Sequence, residues 1–315
     1  MMKTLIIILI LLMQVLLPAA FILWIWKRTC KCKLDWLLPL LTAGTFILYM
    51  FLAGRWDWLS YYLRFILVAT FLWVAYKSYR RTKDLQFFSI KDFGGWLSFG
   101  LNAVALMIFS LINISTVMGF FYEGKPIKLS FPLKDGIYYV GHGGASRTIN
   151  AHHANRSQKY ALDISKLTVL GTRCWGIFSD DLSKYEIFGD TLYSPCDGLV
   201  EETENRLNDL KPGERDSVSI AENRMNLAGN RVVIKSIGVK IVLAHIMQGS
   251  VLVRKGDSVN TGQPLGRVGN SGNTSEPHLH IHAVKNGDSV SVLKGEGVPL
   301  VFKGRFLVRN SLVIE

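Results

Sequence analysis

The run Pro277-His278-Leu279-His280-Ile281-His282 concentrates ring nitrogens near the end of the chain. Imidazoles recur at every second position and apolar residues fill the gaps. Side chains alternate across a β-strand, so this spacing sets His278, His280 and His282 on one face and Leu279, Ile281 and Ala283 on the other. Neutral imidazole is the commonest protein metal ligand and also the usual general acid or base near neutral pH. Metal coordination and proton transfer are therefore both open to this row. A half-exposed strand that merely happens to carry histidine has the same pattern, so the chemistry depends on partners elsewhere.

Three further stretches supply partners. Tyr160-Ala161-Leu162-Asp163-Ile164 places one carboxylate in an otherwise apolar strand. An unpaired carboxylate there would be costly to bury, so a cation partner is expected. Asn150-Ala151-His152-His153 lies upstream, with His152 eleven positions before Asp163, and Val242-Leu243-Ala244-His245 ends a second apolar strand with an imidazole. A catalytic zinc takes three nitrogen or oxygen ligands and keeps one position open for water. One carboxylate and two imidazoles from this set would serve, leaving other imidazoles for proton transfer or oxyanion stabilisation.

The elements that must position these residues lie in the second part of the chain. From Phe131 onward, short β-branched and aromatic runs alternate with turns such as Asp197-Gly198 and Asn270-Ser271-Gly272-Asn273. Strands are expected at Ile137 to Val140, Tyr160 to Ile164, Thr191 to Tyr193, Arg231 to Lys235, Val239 to His245, Gly266 to Val268, His278 to Val284 and Gly304 to Val308. Glu201 to Leu227 is polar and charge-rich, and reads as a long surface excursion of the kind that shapes a groove. The expected fold is mainly antiparallel β.

The first part differs in kind. Four apolar stretches, Leu5 to Trp26, Trp36 to Ala53, Trp58 to Tyr76 and Trp96 to Phe121, each approach the roughly 20 residues a membrane helix needs. Trp and Tyr cluster at their ends, as in interfacial belts. The first run is too long, and too weakly charged before it, for a cleaved signal peptide. Lys27, Arg28, Lys31 and Lys33 fill the first loop, and Lys77, Arg80, Arg81 and Lys83 the third. The net charge of +12 thus reads as a topology signal, with no nucleic-acid partner expected. Those loops face the cytoplasm, the N-terminus lies outside, and everything after Tyr122 is extracytoplasmic. Residues 1–122 are expected to form a four-helix membrane anchor in contact with lipid, 123–130 a linker, and 131–315 an extracytoplasmic or periplasmic domain. Arg64 falls in the third span, close enough to its outer end to reach the interface. Cys174 and Cys196 could pair outside the cytoplasm, but two cysteines are no framework.

The motifs occur in a telling order. Asn150-Ala151-His152, Gln158-Lys159-Tyr160-Ala161-Leu162-Asp163, Ser194-Pro195-Cys196-Asp197-Gly198, Gly229-Asn230-Arg231-Val232-Val233-Ile234, His245, Gly256-Asp257-Ser258-Val259, Gly262-Gln263-Pro264-Leu265-Gly266 and Pro277-His278-Leu279-His280 follow one another. Together they resemble the M23 family of zinc metallopeptidases, the lysostaphin/LytM-type peptidoglycan endopeptidases. The resemblance covers about Phe131 to Val308 and excludes the apolar stretches.

It implies one zinc ion held by His152, Asp163 and His280, with His245 and His278 as the catalytic pair. The implied activity is hydrolysis of peptide bonds in cell-wall peptidoglycan by a zinc-activated water. In the short form of the family motif a histidine stands four positions before the aspartate, where this chain has Lys159. The longer-spaced form selects His152, with His153 as the alternative. His142 reads as a solvated loop residue, His282 as a bystander in an outer layer or at the surface, and Asn230 as a groove residue. A second reading stays open: a catalytically silent M23-like domain that binds or regulates another wall hydrolase.

Overall fold

Apolar stretches without breakers form helices, and β-branched runs between glycine turns form strands. In the computed structural model, which describes residues 2–89, 92–214, 217–236, 238–285 and 294–315, the chain divides into two compact units. One comprises Met1–Trp56 and Ser60–Val117, the other Asp57–Leu59 and Met118–Glu315.

The first unit is helical. Its opening run is helix at Met2–Leu11 and Leu17–Lys27, with a wider π turn at Leu12–Leu16. That turn lies directly upstream of Pro18, whose missing N–H interrupts the helical ladder. Helices Lys33–Ala53, Leu63–Thr82 and Phe93–Met118 follow. Ile22, Ile25, Ala43, Ile47 and Val74 join in one apolar cluster. Among the described residues, three helices are long and apolar enough to cross a membrane: Thr4–Lys27, Lys33–Ala53 and Phe93–Met118. Leu63–Thr82 begins later than the expected third span, because Trp56–Trp58 is a short 3-10 turn. It ends in Arg80 and Arg81 and falls outside those three. Arg64 is 6% exposed, with its guanidinium 4.0 Å from the Phe51 ring centre.

Among the described residues, the second unit is built on a nine-stranded sheet whose pairings are all antiparallel. At its centre, the histidine strand Leu279–Lys285 runs between Leu162–Lys166 and Val239–Ile246. Its register sets His280 opposite Asp163 on one side and Ala244 on the other. Leu279, Ile281 and Ala283 point the other way, into the main core with Leu162, Ile164, Ile241 and Leu243. The alternation read from the sequence is thus the alternation of core face and site face.

Several boundaries move. The strand bearing Asp163 is Leu162–Lys166, two residues later than expected, because Tyr160 and Ala161 sit in the turn before it. The excursion starts later too, since Glu201 to Glu204 complete strand Gly198–Glu204. The rest of it includes helix Ser217–Glu222 and the 3-10 turn Arg224–Ala228, while residues 215 and 216 lie outside the described residues. Inside the stretch expected as a linker, Ile127–Leu129 pairs in parallel with Leu300–Phe302. Cys174 and Cys196 are unbonded.

Candidate metal centre

The site is assembled from four segments of the second unit. Asn150 starts the first: buried completely, it caps the 3-10 turn Ala151–Ala154 by accepting a hydrogen bond from His152 N (3.1 Å). Its amide donates to Gly144 O at 2.9 Å and Ala161 O at 3.1 Å, tying the turn to the approach of the Asp163 strand. So fixed, His152 Nε2 lies 2.8 Å from Asp163 Oδ2. The neighbouring His153 turns away, its Nδ1 3.3 Å from Lys159 O.

The sheet supplies the second and third segments. His280 Nδ1 stands 2.8 Å from Asp163 Oδ1, so both carboxylate oxygens face imidazoles. His278, just ahead of the strand, points Nε2 at Asp163 Oδ1 from 3.5 Å. Its Nδ1 is 2.8 Å from Glu276 O, which fixes the ring by donation to a main-chain acceptor. The Glu276 side chain is itself clamped by Arg173 Nε, both groups being almost fully buried.

His245 arrives by a distortion. Asn230 pairs with Ile246 and Val232 with Leu243, so Ala244 and His245 together oppose Arg231 in a β-bulge. His245 adopts φ = +61°, a left-handed conformation that non-glycine residues reach mainly where the surroundings enforce it. The bulge puts its ring 4.8 Å from that of His278 and 5.9 Å from that of His280, centre to centre. Its Nδ1 lies 2.8 Å from Ser271 O in the turn before the histidine strand. Gly229 lets that turn come close: with φ = +64°, a Cβ on it would lie 2.2 Å from Ser271 O.

Electrostatics follow this geometry. Burial opposes ionisation of Asp163, yet the His152 and His278 imidazoles hold its carboxyl well below the usual carboxylate range. Burial likewise lowers His152 and His278, but Asp163 outweighs it and raises both. For His245 burial dominates, with repulsion from His278 and His280 added, and the ring sits well below the ordinary histidine value. Burial also lowers His280. One carboxylate thus serves as the counter-charge for a cluster of imidazoles.

The donor atoms of His152, Asp163 and His280 all lie within 4.8 Å of one another, and so do those of His245, His278 and His280. The first set offers one carboxylate oxygen and two imidazole nitrogens, which suits a zinc ion with an open position. His152, His245, His280 and His282 also line a cavity of about 890 Å³, with Arg156 and Arg224 on its walls. Arg224, Leu227 and Ala228, from the end of the excursion, form part of that lining.

Two residues differ from their sequence reading, and a third, His282, takes the outer-layer alternative over the surface one. Asn230 does not line the cavity; fully buried, its amide donates to Leu207 O and Ile246 O at 2.8 and 3.1 Å, pinning the excursion to the sheet. His142 is no loop residue, since it ends strand Ile137–His142 with its ring 5.8 Å from that of His152. Its Nδ1 is held at 2.9 Å by Arg309 Nη2. His282 is only 2% exposed, with its Nδ1 3.0 Å from His280 Nε2. The alternation of the sequence did place His282 on the site face; its burial was not visible there.

Residues 187–292 match peptidase family M23, a span that includes His245, His278 and His280 and begins after His152 and Asp163. Over 79 residues the chain is 34% identical to the peptidoglycan DD-endopeptidase ShyA of Vibrio cholerae serotype O1, a match covering 25% of this chain and 18% of that protein. The chain therefore spans less than a fifth of that relative's length. Among solved structures, a zinc-containing peptidase from Vibrio cholerae is 26% identical, with TM-score 0.25, over 37% of this chain and 29% of that one. A variant of the catalytic domain of the prophage-encoded M23 protein EnpA from Enterococcus faecalis is 21% identical, with TM-score 0.20, over 35% and 73%.

Proposed function

We infer that this chain, which carries a peptidase family M23 domain at residues 187–292, is a membrane-anchored zinc endopeptidase that hydrolyses peptide bonds in cell-wall peptidoglycan. The observation that carries this reading is the Asp163 carboxylate, held between His152 Nε2 and His280 Nδ1 at 2.8 Å each, with His245 and His278 beside it. The similarity to a peptidoglycan DD-endopeptidase supports the substrate class.

His152, Asp163 and His280 would hold the zinc. Bound there, zinc polarises a substrate carbonyl and makes water nucleophilic near neutral pH. His245 presents a neutral ring: with Nδ1 donating to Ser271 O, its Nε2 is left as a lone-pair acceptor suited to take a proton from the attacking water. His278 donates through Nδ1 to Glu276 O and, when protonated, offers Nε2–H to a developing oxyanion. The cavity lined by His152, His245 and His280 would receive the peptide beside the metal ligands.

In this reading residues 1–122 are the anchor, 123–130 the connection and 131–315 the catalytic domain. With all four helices crossing, Leu63–Thr82 included, the basic first and third loops would support an N-terminus and a catalytic domain outside the cytoplasm, where peptidoglycan lies. The three helices able to cross a membrane support anchoring. The test is digestion of purified peptidoglycan by the full-length, zinc-loaded chain, with products identified by mass. New amine and carboxyl termini within the peptides are expected. Intact peptides alongside bound zinc would favour the silent, regulatory alternative.

A further inference from the structure

We propose that His282 is a positioning residue for the metal centre: its Nδ1 accepts a hydrogen bond from His280 Nε2–H and so keeps the Nδ1 lone pair of His280 free for metal. The inference rests on reading His280 as a ligand and extends it to a residue outside the ligand set.

The two rings meet at 3.0 Å, Nε2 to Nδ1, and are 4% and 2% exposed. A neutral imidazole has one donor and one acceptor nitrogen, so a buried N···N contact of this length needs one ring of each sense. Two arrangements satisfy it. In the first, His282 Nδ1–H donates to a bare His280 Nε2, and the proton of neutral His280 sits on Nδ1. That nitrogen faces Asp163 Oδ1 at 2.8 Å, where it would make a charge-assisted hydrogen bond and have no lone pair for a metal. In the second, His280 carries its proton on Nε2, gives it to His282 Nδ1, and turns a lone pair toward Asp163 and His152. Only the second is ready for metal.

Asp163 alone favours the first arrangement, because a carboxylate is the stronger acceptor. An acceptor on the far side of His280 offsets that preference, and His282 supplies it. The same strand carries both rings two residues apart on one face, and the register that puts His280 opposite Ala244 puts His282 opposite Val242. The bond is therefore a product of strand geometry.

The test compares zinc affinity of the full-length protein, by chelator competition, in wild type, His282→Leu and His282→Gln. Glutamine keeps an oxygen able to accept from His280 Nε2–H; leucine does not. His282→Leu should weaken zinc binding about 10–100-fold, and His282→Gln should stay within about threefold of wild type. Wild-type affinity in His282→Leu, with affinity lost in His280→Ala, would overturn the positioning role while leaving the ligand reading intact. Equal losses in the leucine and glutamine variants would reduce His282 to packing and also overturn it. Unchanged affinity in His280→Ala would remove the ligand reading itself. Should His282→Leu not fold, nitrogen-15 labelling of the zinc-loaded wild type decides. A scalar coupling between His280 Nε2 and His282 Nδ1 across the hydrogen bond is expected, and its absence would overturn the proposal.

Discussion

Asp163 and His280 face each other across neighbouring antiparallel strands, Oδ1 to Nδ1 2.8 Å, although 117 positions separate them in the chain. The contact is a consequence of register. A slip of one residue in either strand would send one of the two side chains into the apolar core. Leu279 and Ile281 on the opposite face oppose that slip, since both are buried in the core. The core therefore holds the site in alignment.

His152 and His153 should separate cleanly. His152 faces Asp163 and His153 faces Lys159 O. His152→Ala should weaken zinc binding by more than the roughly 100-fold upper range for an outer partner, and His153→Ala should leave it within a few-fold. Chelator competition on both variants checks this; a larger loss in His153→Ala would reverse the assignment.

His245 should affect turnover without affecting metal content. Its ring lies 5.9 Å from that of His280, and burial, with repulsion from His278 and His280, outweighs the pull of Asp163 and keeps it neutral. His245→Ala should retain zinc and lower kcat by about 10²–10⁴-fold, the usual range for losing a general base. Metal analysis and turnover of the same sample read both quantities.

Zinc affinity should fall as the pH is lowered, starting above the ordinary histidine value of 6.5. In the metal-free site, burial lowers the His152 pKa but Asp163 more than compensates and raises it. A proton on Nε2 must leave before a metal can bind there. Its raised pKa means that protonation begins to compete at a higher pH than for an isolated imidazole. Asp163 does not compete in this range, because its carboxyl is held well below the usual value. Zinc titrations across a pH series would contradict this by showing constant affinity from about pH 8 to about pH 6.

Arg173 and Glu276 form a buried ion pair behind His278. Replacing one partner leaves the other charge buried and unpaired, so Arg173→Met should destabilise the domain by about 3–5 kcal/mol. Replacing both, as Arg173→Met with Glu276→Met, should recover much of that loss, since an apolar pair of similar volume is often neutral. Chemical denaturation of the three proteins measures the difference.

The parts of this site that follow a simple period were legible in the sequence. His278 and His280 share a face because strand side chains alternate, and Asp163 stood out as a charge in an apolar run. His245 was visible as a residue but not in its pose, which depends on a bulge and a positive φ that no alternation encodes. The choice between His152 and His153 turns on the cap made by Asn150 with His152 N, a contact of one turn. His142 and His282 were discounted because burial depends on which strands pair, and pairing over long separations leaves no local trace. Ser258–Val259 and Leu312–Ile314 are too short to show a period, whereas the equally short Thr191–Tyr193 was legible from its β-branched and aromatic residues.

The central claim is that His152, Asp163 and His280 hold a zinc ion, and the most direct measurement is the zinc content of the purified full-length protein beside its His280→Ala variant. One zinc per wild-type chain and none retained by the variant is the expected result. A folded wild-type chain that takes up no zinc, or a variant that holds as much as wild type, would contradict it.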